Sequence, residues 1–287
     1  MSSRVRNELW AVLKRLIRVC ALLLVGLGAT GCGPQLLFVG DPVLEATLFD
    51  REGFERSVDR AARTAGYRAR IVWPRQRSLE AVDAFSVIES HSAEVVVLSP
   101  YLSLMADEIA SRLPHLSFVG YYGSEGILNV TWVHFDPEPG LRDAGMLVAE
   151  WVFAGAGRRA VVLVDESDET AWEEAAWFEA GYESRAEVGL ERITFSATPT
   201  REEVRNRVRS VARDEERALV LMLGAASGWA LEAARDEDVK VVIRHGMMPD
   251  PPGQVLLSVV DDLAVGLAAA LETDASRVEV PSVVRGR

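Results

Sequence analysis

Short apolar runs alternate with longer amphipathic stretches along most of the chain. Continuous Val/Ile/Leu runs predict strands at residues 36–39, 70–73, 94–98, 116–119 and 129–135. Between them, helical spacing of apolar positions predicts helices over about 49–65, 79–90 and 102–113, with Gly66 closing the first. A helix follows Pro139 and runs to about 153, with Gly155 and Gly157 past its end. The rhythm then restarts. Strands are expected at 160–164, 192–195, 219–223, 239–243, 255–259 and 278–284. Helices are expected at 172–184, 202–213, around 229–234 and at 263–271.

Strands that are apolar without alternation are buried on both faces, which requires helices above and below a parallel sheet. Two similar runs imply an α/β protein of two doubly wound parallel-sheet lobes joined by a three-crossing hinge. The crossings are expected near His134–Asp136, Ser258–Asp261 and Asp274–Val278. That places 32–135 and about 260–275 in the first lobe, and 136–259 and about 276–287 in the second. Loops at the carboxyl ends of the strands are where such sheets bind ligands.

The first 31 residues depart from this pattern. They hold five cations (Arg4, Arg6, Lys14, Arg15, Arg18) against one acid, Glu8, followed by an apolar core too short to span a bilayer. The stretch ends in Ala29-Thr30-Gly31-Cys32. A basic flank, short apolar core and small residues before a Cys read as a lipoprotein signal, with Cys32 carrying the lipid and beginning the mature chain. Gly26-Leu27-Gly28-Ala29-Thr30-Gly31 spells G-x-G-x-x-G, but inside a segment read as removable, without the strand and helix a dinucleotide site needs. The expected location is therefore the cell envelope, extracytoplasmic and anchored by lipid.

Composition narrows the function classes. The 287 residues carry a formal charge of −12, so no basic face for nucleic acid is expected. Two Cys and four His exclude a disulfide framework and a Cys-rich zinc module, and no metal site or cofactor is anticipated. No G-x-S-x-G elbow, P-loop or H-E-x-x-H motif occurs, and Cys32 would be blocked, so no enzyme is expected. Asp165-Glu166 and Asp261-Asp262 are adjacent pairs, whereas carboxylates that flank one scissile bond usually come from separate elements.

Four stretches carry a family resemblance. These are Phe49-Asp50-Arg51-Glu52-Gly53-Phe54-Glu55; Asn129 through Phe135 with Glu138, Gly140 and Gly145; Gly224-Ala225-Ala226-Ser227-Gly228-Trp229; and Ser258-Val259-Val260-Asp261. In order and placement they resemble the basic membrane protein family of bacterial solute-binding lipoproteins, the purine nucleoside receptor type. The resemblance implies a type I periplasmic binding protein fold, a nucleoside or related small polar solute, and an ABC permease as partner. The chain departs from that pattern at ligand positions. Ala46 stands for an Asp, Asp50 for an Asn, Asp165-Glu166 for Gly-Gly, Arg244-His245 for an acid, and Asp261 for the hinge Lys.

Candidate ligand contacts follow from strand ends and loops. Tyr101, Tyr121, Tyr122, Trp172 and Trp229 offer stacking faces. Gly224 to Ser227 precede a helix and can present backbone N–H groups. Asp50, Asp165, Glu166 and Asp261 are the acidic candidates, and Arg244 and His245 the cationic ones. Ser167 and Asp168 are equally readable as helix caps. An excess of acids favours a neutral or cationic solute. The expected mechanism is capture between lobes followed by hinge closure. The alternative is a lipoprotein of the same fold that acts as a sensor or protein-interaction module without transport.

Overall fold

The β-branched and leucine runs become the inner strands of two six-stranded sheets. A computed structural model describes residues 33–48, 50–74, 81–124, 126–155, 159–165, 168–186, 190–195, 199–213, 217–222, 227–244 and 255–286. The first sheet contains β1 (Gln35–Val39), β2 (Arg68–Val72), β3 (Val95–Leu98), β4 (Ser117–Tyr121), β5 (Val130–Asp136) and β11 (Arg277–Pro281). Its order is β11-β5-β4-β3-β1-β2, and each neighbouring pair is parallel. The second contains β6 (Arg159–Asp165), β7 (Glu191–Phe195), β8 (Arg217–Met222), β9 (Lys240–Arg244), β10 (Val255–Val260) and β12 (Val283–Gly286), in the order β12-β10-β9-β8-β6-β7. It is parallel except at β12, which pairs antiparallel with β10.

Alternate residues of one strand feed opposite faces, so each sheet builds two cores. In the first lobe, Leu37, Val39, Val96 and Leu98 pack under α3 (Ala81–Glu89), α4 (Pro100–Ser103) and α5 (Ala106–Arg112). Leu36, Phe38, Val95 and Val97 pack under α2 (Arg51–Thr64) and α10 (Leu263–Leu271). In the second lobe, Val162, Val164, Val242 and Val259 meet α6 (Pro137–Ala154) and α7 (Glu169–Glu183). Val161, Leu163, Val241 and Ile243 meet α8 (Arg201–Arg213) and α9 (Ser227–Asp236).

Three crossings join the lobes, at Asp136, at Asp261-Asp262, and at Ser282. The expectation that the third lies at Asp274–Val278, with 276–281 in the second lobe, is corrected. Arg277–Pro281 pairs with β5 in the first sheet, and the stretch read as one strand over 278–284 is broken at Ser282 into an edge strand for each sheet. Pattern alone could not show this, because the apolar residues on both sides of Ser282 fit either sheet. The helix expected over 102–113 is likewise two helices separated at Leu104-Met105. A short helix α1 (Pro42–Thr47) precedes the first long one, where the sequence reading had none. It starts because Asp41 Oδ1 accepts the N–H groups of Val43 and Leu44 at 2.7 and 2.8 Å and Pro42 fixes the first helical position.

The crossings are bonded to one another. Ser282 N donates to Asp136 O at 2.8 Å, tying the third crossing to the first. Its hydroxyl donates to Asp261 Oδ1, tying it to the second. A Cβ on Gly140 would lie 2.8 Å from Ser282 O, so the glycine lets α6 pass directly beside this junction.

Candidate functional site

The carboxyl ends of the strands and the second crossing bring together a charged group at the lobe junction. Arg244 ends β9, and its Nη1 lies 3.1 Å from Asp261 Oδ1. Arg244 Nε donates to Glu174 Oε1 on α7 at 3.1 Å. Tyr122, just past β4 in the first lobe, donates its hydroxyl to Asp261 Oδ2 at 2.8 Å. With the Ser282 hydroxyl added, Asp261 accepts from both lobes and from the third crossing. Its side chain is 8% exposed, Arg244 12% and Glu174 13%.

Burial sets the electrostatics. The Tyr122 phenol is pushed up first by desolvation and then by the Asp261 carboxylate, with Arg244 opposing, so it remains a neutral donor. Glu174 is raised by burial, which outweighs the ion pair to Arg244. Tyr122 also has φ of 61°, a left-handed conformation unusual for a tyrosine. Its ring stands 5.7 Å from that of Phe135, and its N–H donates to Val133 O at 2.9 Å, which together hold the strained turn. Backbone strain of this kind concentrates at functional sites.

Two departures from the family pattern thus prove to be partners. Arg244 stands where the pattern has an acid and Asp261 where it has a Lys, and the two pair with each other. The Asp261 oxygens are occupied by Arg244, Tyr122 and Ser282, so its expected role as a ligand carboxylate is corrected to one of holding the junction. Tyr121 is also corrected. It is 1% exposed, stacked on Phe135 at 6.3 Å, and its hydroxyl donates to Leu263 O at 2.9 Å. Tyr121, the last residue of β4, turns its side chain into the core, whereas Tyr122 lies past the strand in the left-handed turn.

The other candidates are scattered. Asp50 is an exposed cap of α2, accepting from Gly53 N at 2.8 Å and lying 3.6 Å from Arg56. Tyr101 is 44% exposed at the rim of the first lobe, on α4. Asp165 ends β6 and is buried. Trp172 packs on the second lobe's core with the Arg192 guanidinium 4.5 Å over its ring, so that face is already occupied. Asp168 caps α7 through Ala171 N at 3.0 Å. Ser227 opens α9, and Trp229 is 42% exposed on it. Cys32, Glu166, Gly224 and His245 lie outside the described residues.

The sequence reading missed Asp41, Ser99, Glu174 and Ser282. Asp41 and Ser99 are 1% and 0% exposed and follow β1 and β3, adjacent parallel strands with Val39 beside Leu98. Among the described residues Asp41 Oδ2 and Ser99 Oγ have no hydrogen-bond partner. A buried polar atom without a partner costs about 1–3 kcal/mol. The signal for both was present, since each is of a residue type favoured at helix caps and is followed by Pro within two residues of an apolar strand's end. Among the described residues no group of side chains is placed to hold a metal ion. None of their helices is long and apolar enough to cross a membrane.

No family model matches the chain, and no curated protein is significantly similar to it. Solved structures are similar. An ABC transporter system solute-binding protein from Aeropyrum pernix K1 matches with a TM-score of 0.57 at 12% identity, over 88% of this chain and 76% of that one. Another from Conexibacter woesei DSM 14684 matches with 0.57 at 13%, over 88% of each. A transcriptional activator of the comK gene from Bacillus halodurans matches with 0.57 at 14%, over 88% of this chain and 89% of that one. Likeness at this identity carries the fold, and the narrower resemblance to the basic membrane protein family gains no family-model support. Two parallel-sheet lobes, three crossings and these structural relatives establish the fold as that of the type I periplasmic binding proteins.

Proposed function

We propose that the chain is an extracytoplasmic solute-binding protein, anchored through lipid on Cys32, that captures a small polar solute between its lobes and delivers it to an ABC permease. The observation that carries this reading is the junction itself. Tyr122 of the first lobe and Arg244 of the second meet on Asp261 at a crossing, so opening or closing the lobes changes those contacts. Solute-binding proteins among the structural relatives support it. A nucleoside or a related hydroxyl-bearing solute is the proposed ligand. Tyr101 and Trp229 supply exposed aromatic faces at the strand-end rims, and the chain's formal charge of −12 disfavours an anion.

Isothermal titration of the full chain in detergent against nucleosides, sugars, polyamines and sugar phosphates tests the reading. Binding of a neutral or cationic solute is expected; binding of phosphorylated solutes alone contradicts the charge argument. The anchor is tested separately, since Cys32→Ser should abolish labelling by a palmitate analogue, and continued labelling removes Cys32 from the account. One observation favours the alternative of a sensor or protein-interaction module. Arg244 and Asp261 are engaged with each other rather than offered to a ligand. Failure of every solute to bind would select that reading.

A further inference from the structure

The first sheet reverses direction between β1 and β3, since β2 lies to one side of β1 while β3, β4 and β5 follow on the other. Doubly wound sheets bind ligands outside the carboxyl ends of the strands at this switch point. The chain leaves β1 through Gly40-Asp41 and β3 through Ser99, and Ser99 N donates to Val39 O at 3.0 Å, which holds the two exits side by side. Four buried side-chain atoms have no partner among the described residues; Trp132 Nε1 and His134 Nε2 lie on β5, and the other two, Asp41 Oδ2 and Ser99 Oγ, sit at these exits.

Helix capping does not account for them. Asp41 caps α1 through Oδ1 alone, and an Asn would cap as well. Ser99 stands at the cap position of α4 but makes no side-chain cap bond. Tyr101, one residue into that helix from Pro100, is exposed beside it, as is Val43 on α1.

We propose that Asp41 and Ser99 form a hydroxyl-recognition subsite at the switch point of the first lobe, taking one hydroxyl of a neutral polyol ring whose apolar face lies against Tyr101. The proposal rests on the solute-binding reading and deepens it. A carboxylate oxygen only accepts, whereas a serine hydroxyl has one proton to give and lone pairs to offer. A solute hydroxyl, which both donates and accepts, supplies the donor that Asp41 Oδ2 lacks and an acceptor for the Ser99 hydroxyl. An ammonium group has no lone pair, so it leaves the Ser99 proton without an acceptor. A phosphate or carboxylate meets the Asp41 charge.

The test is isothermal titration of the full chain in detergent with D-ribose, D-glucose, myo-inositol, adenosine, spermidine and ribose 5-phosphate. At least one of the neutral polyols should bind. Its affinity should fall about ten- to a hundredfold in Asp41→Asn, the range for a hydrogen bond to a charged group, and by a smaller factor in Ser99→Ala. The Glu108→Gln control on α5 should bind as the wild type does. Both site variants should melt no lower than the wild type without solute, because Ser99→Ala deletes an unpartnered atom and Asp41→Asn keeps the cap while exchanging an unpartnered carboxylate oxygen for a neutral amide. Polyol binding that is unchanged in both variants overturns the subsite and leaves the solute-binding reading standing, as does binding of spermidine or ribose 5-phosphate alone. Binding of no probe at all overturns the solute-binding reading itself and the subsite with it.

Discussion

The two lobes share one strand order and differ in what they place at its edge. In each, the first strand has the second on one side and the third, fourth and fifth on the other. In each, the first strand ends in or beside a buried aspartate, Asp41 after β1 and Asp165 at the end of β6. The first lobe leaves polar atoms there without partners among the described residues. The second turns its edge toward the crossing and fills it with the Glu174–Arg244–Asp261 chain of ion pairs. Topology therefore fixes where chemistry can gather, while individual side chains decide whether it is offered to a solute or spent on the protein.

The largest effect is expected where the second lobe is most self-engaged. Asp261→Ala leaves Arg244, almost buried, with Glu174 alone and releases Tyr122 and Ser282. Breaking a buried pair by removing one member costs about 3–5 kcal/mol, readable by urea unfolding. A loss under about 1 kcal/mol would show that the junction does not hold the lobes.

Helix packing gives the next contrast. A Cβ on Gly181 of α7 would lie 2.0 Å from Arg142 O on α6, and one on Gly145 of α6 would lie 2.1 Å from Phe178 O on α7. Backbone meets backbone here, so the helices must separate, and Gly181→Ala should cost about 3 kcal/mol. On the first lobe's α10, a Cβ on Gly266 would meet side-chain atoms of Val133 and Phe135. Those can rotate, so Gly266→Ala should cost only about 1 kcal/mol. Equal losses would erase this difference between the lobes.

These features were unequally legible. The two lobes could be read because continuous runs such as Val95–Leu98 and Val161–Val164 carry their burial in composition. Gly145 could be picked out only through a resemblance, with nothing in the sequence to say that Phe178 O lies against it. Arg244 and Asp261 are 17 residues apart and looked like two separate departures; only the junction of β9 with the crossing makes them a pair. Asp41 was passed over because no helix was expected at Pro42–Thr47, and a cap that uses one oxygen of two is visible only in the folded chain.

Two glutamates should respond oppositely to pH. Glu174 in the second lobe is raised by burial, so the folded protein binds its proton more tightly than the unfolded chain does. Its contribution is therefore greatest below the ordinary glutamate range and is lost as pH rises through the folded value. Glu55 in the first lobe feels burial most strongly, but hydrogen bonds from Arg51 and from Trp73 at 2.7 Å together outweigh it and hold it low. Its contribution is present above the ordinary range and is lost as pH falls through the folded value. In unfolding measured from about pH 2 to 7, Glu174→Gln should remove a slope of falling stability above the ordinary glutamate range and Glu55→Gln a slope of rising stability below it. Slopes of one sign would contradict the assignment.

The smallest effect should come from Tyr122→Phe, which removes one donor while Asp261 keeps Arg244 and Ser282. A loss of about 1 kcal/mol is expected from thermal melting. A loss as large as that of Asp261→Ala would make the tyrosine, and not the ion pair, the principal tie between lobes.

Small-angle scattering of the full chain in detergent, with and without saturating adenosine, D-ribose, D-glucose or myo-inositol, tests solute capture between the lobes most directly. The account predicts that at least one of these solutes lowers the protein's radius of gyration as the lobes close on it. A radius unchanged by all of them would contradict capture by closure and leave a rigid interaction module in its place.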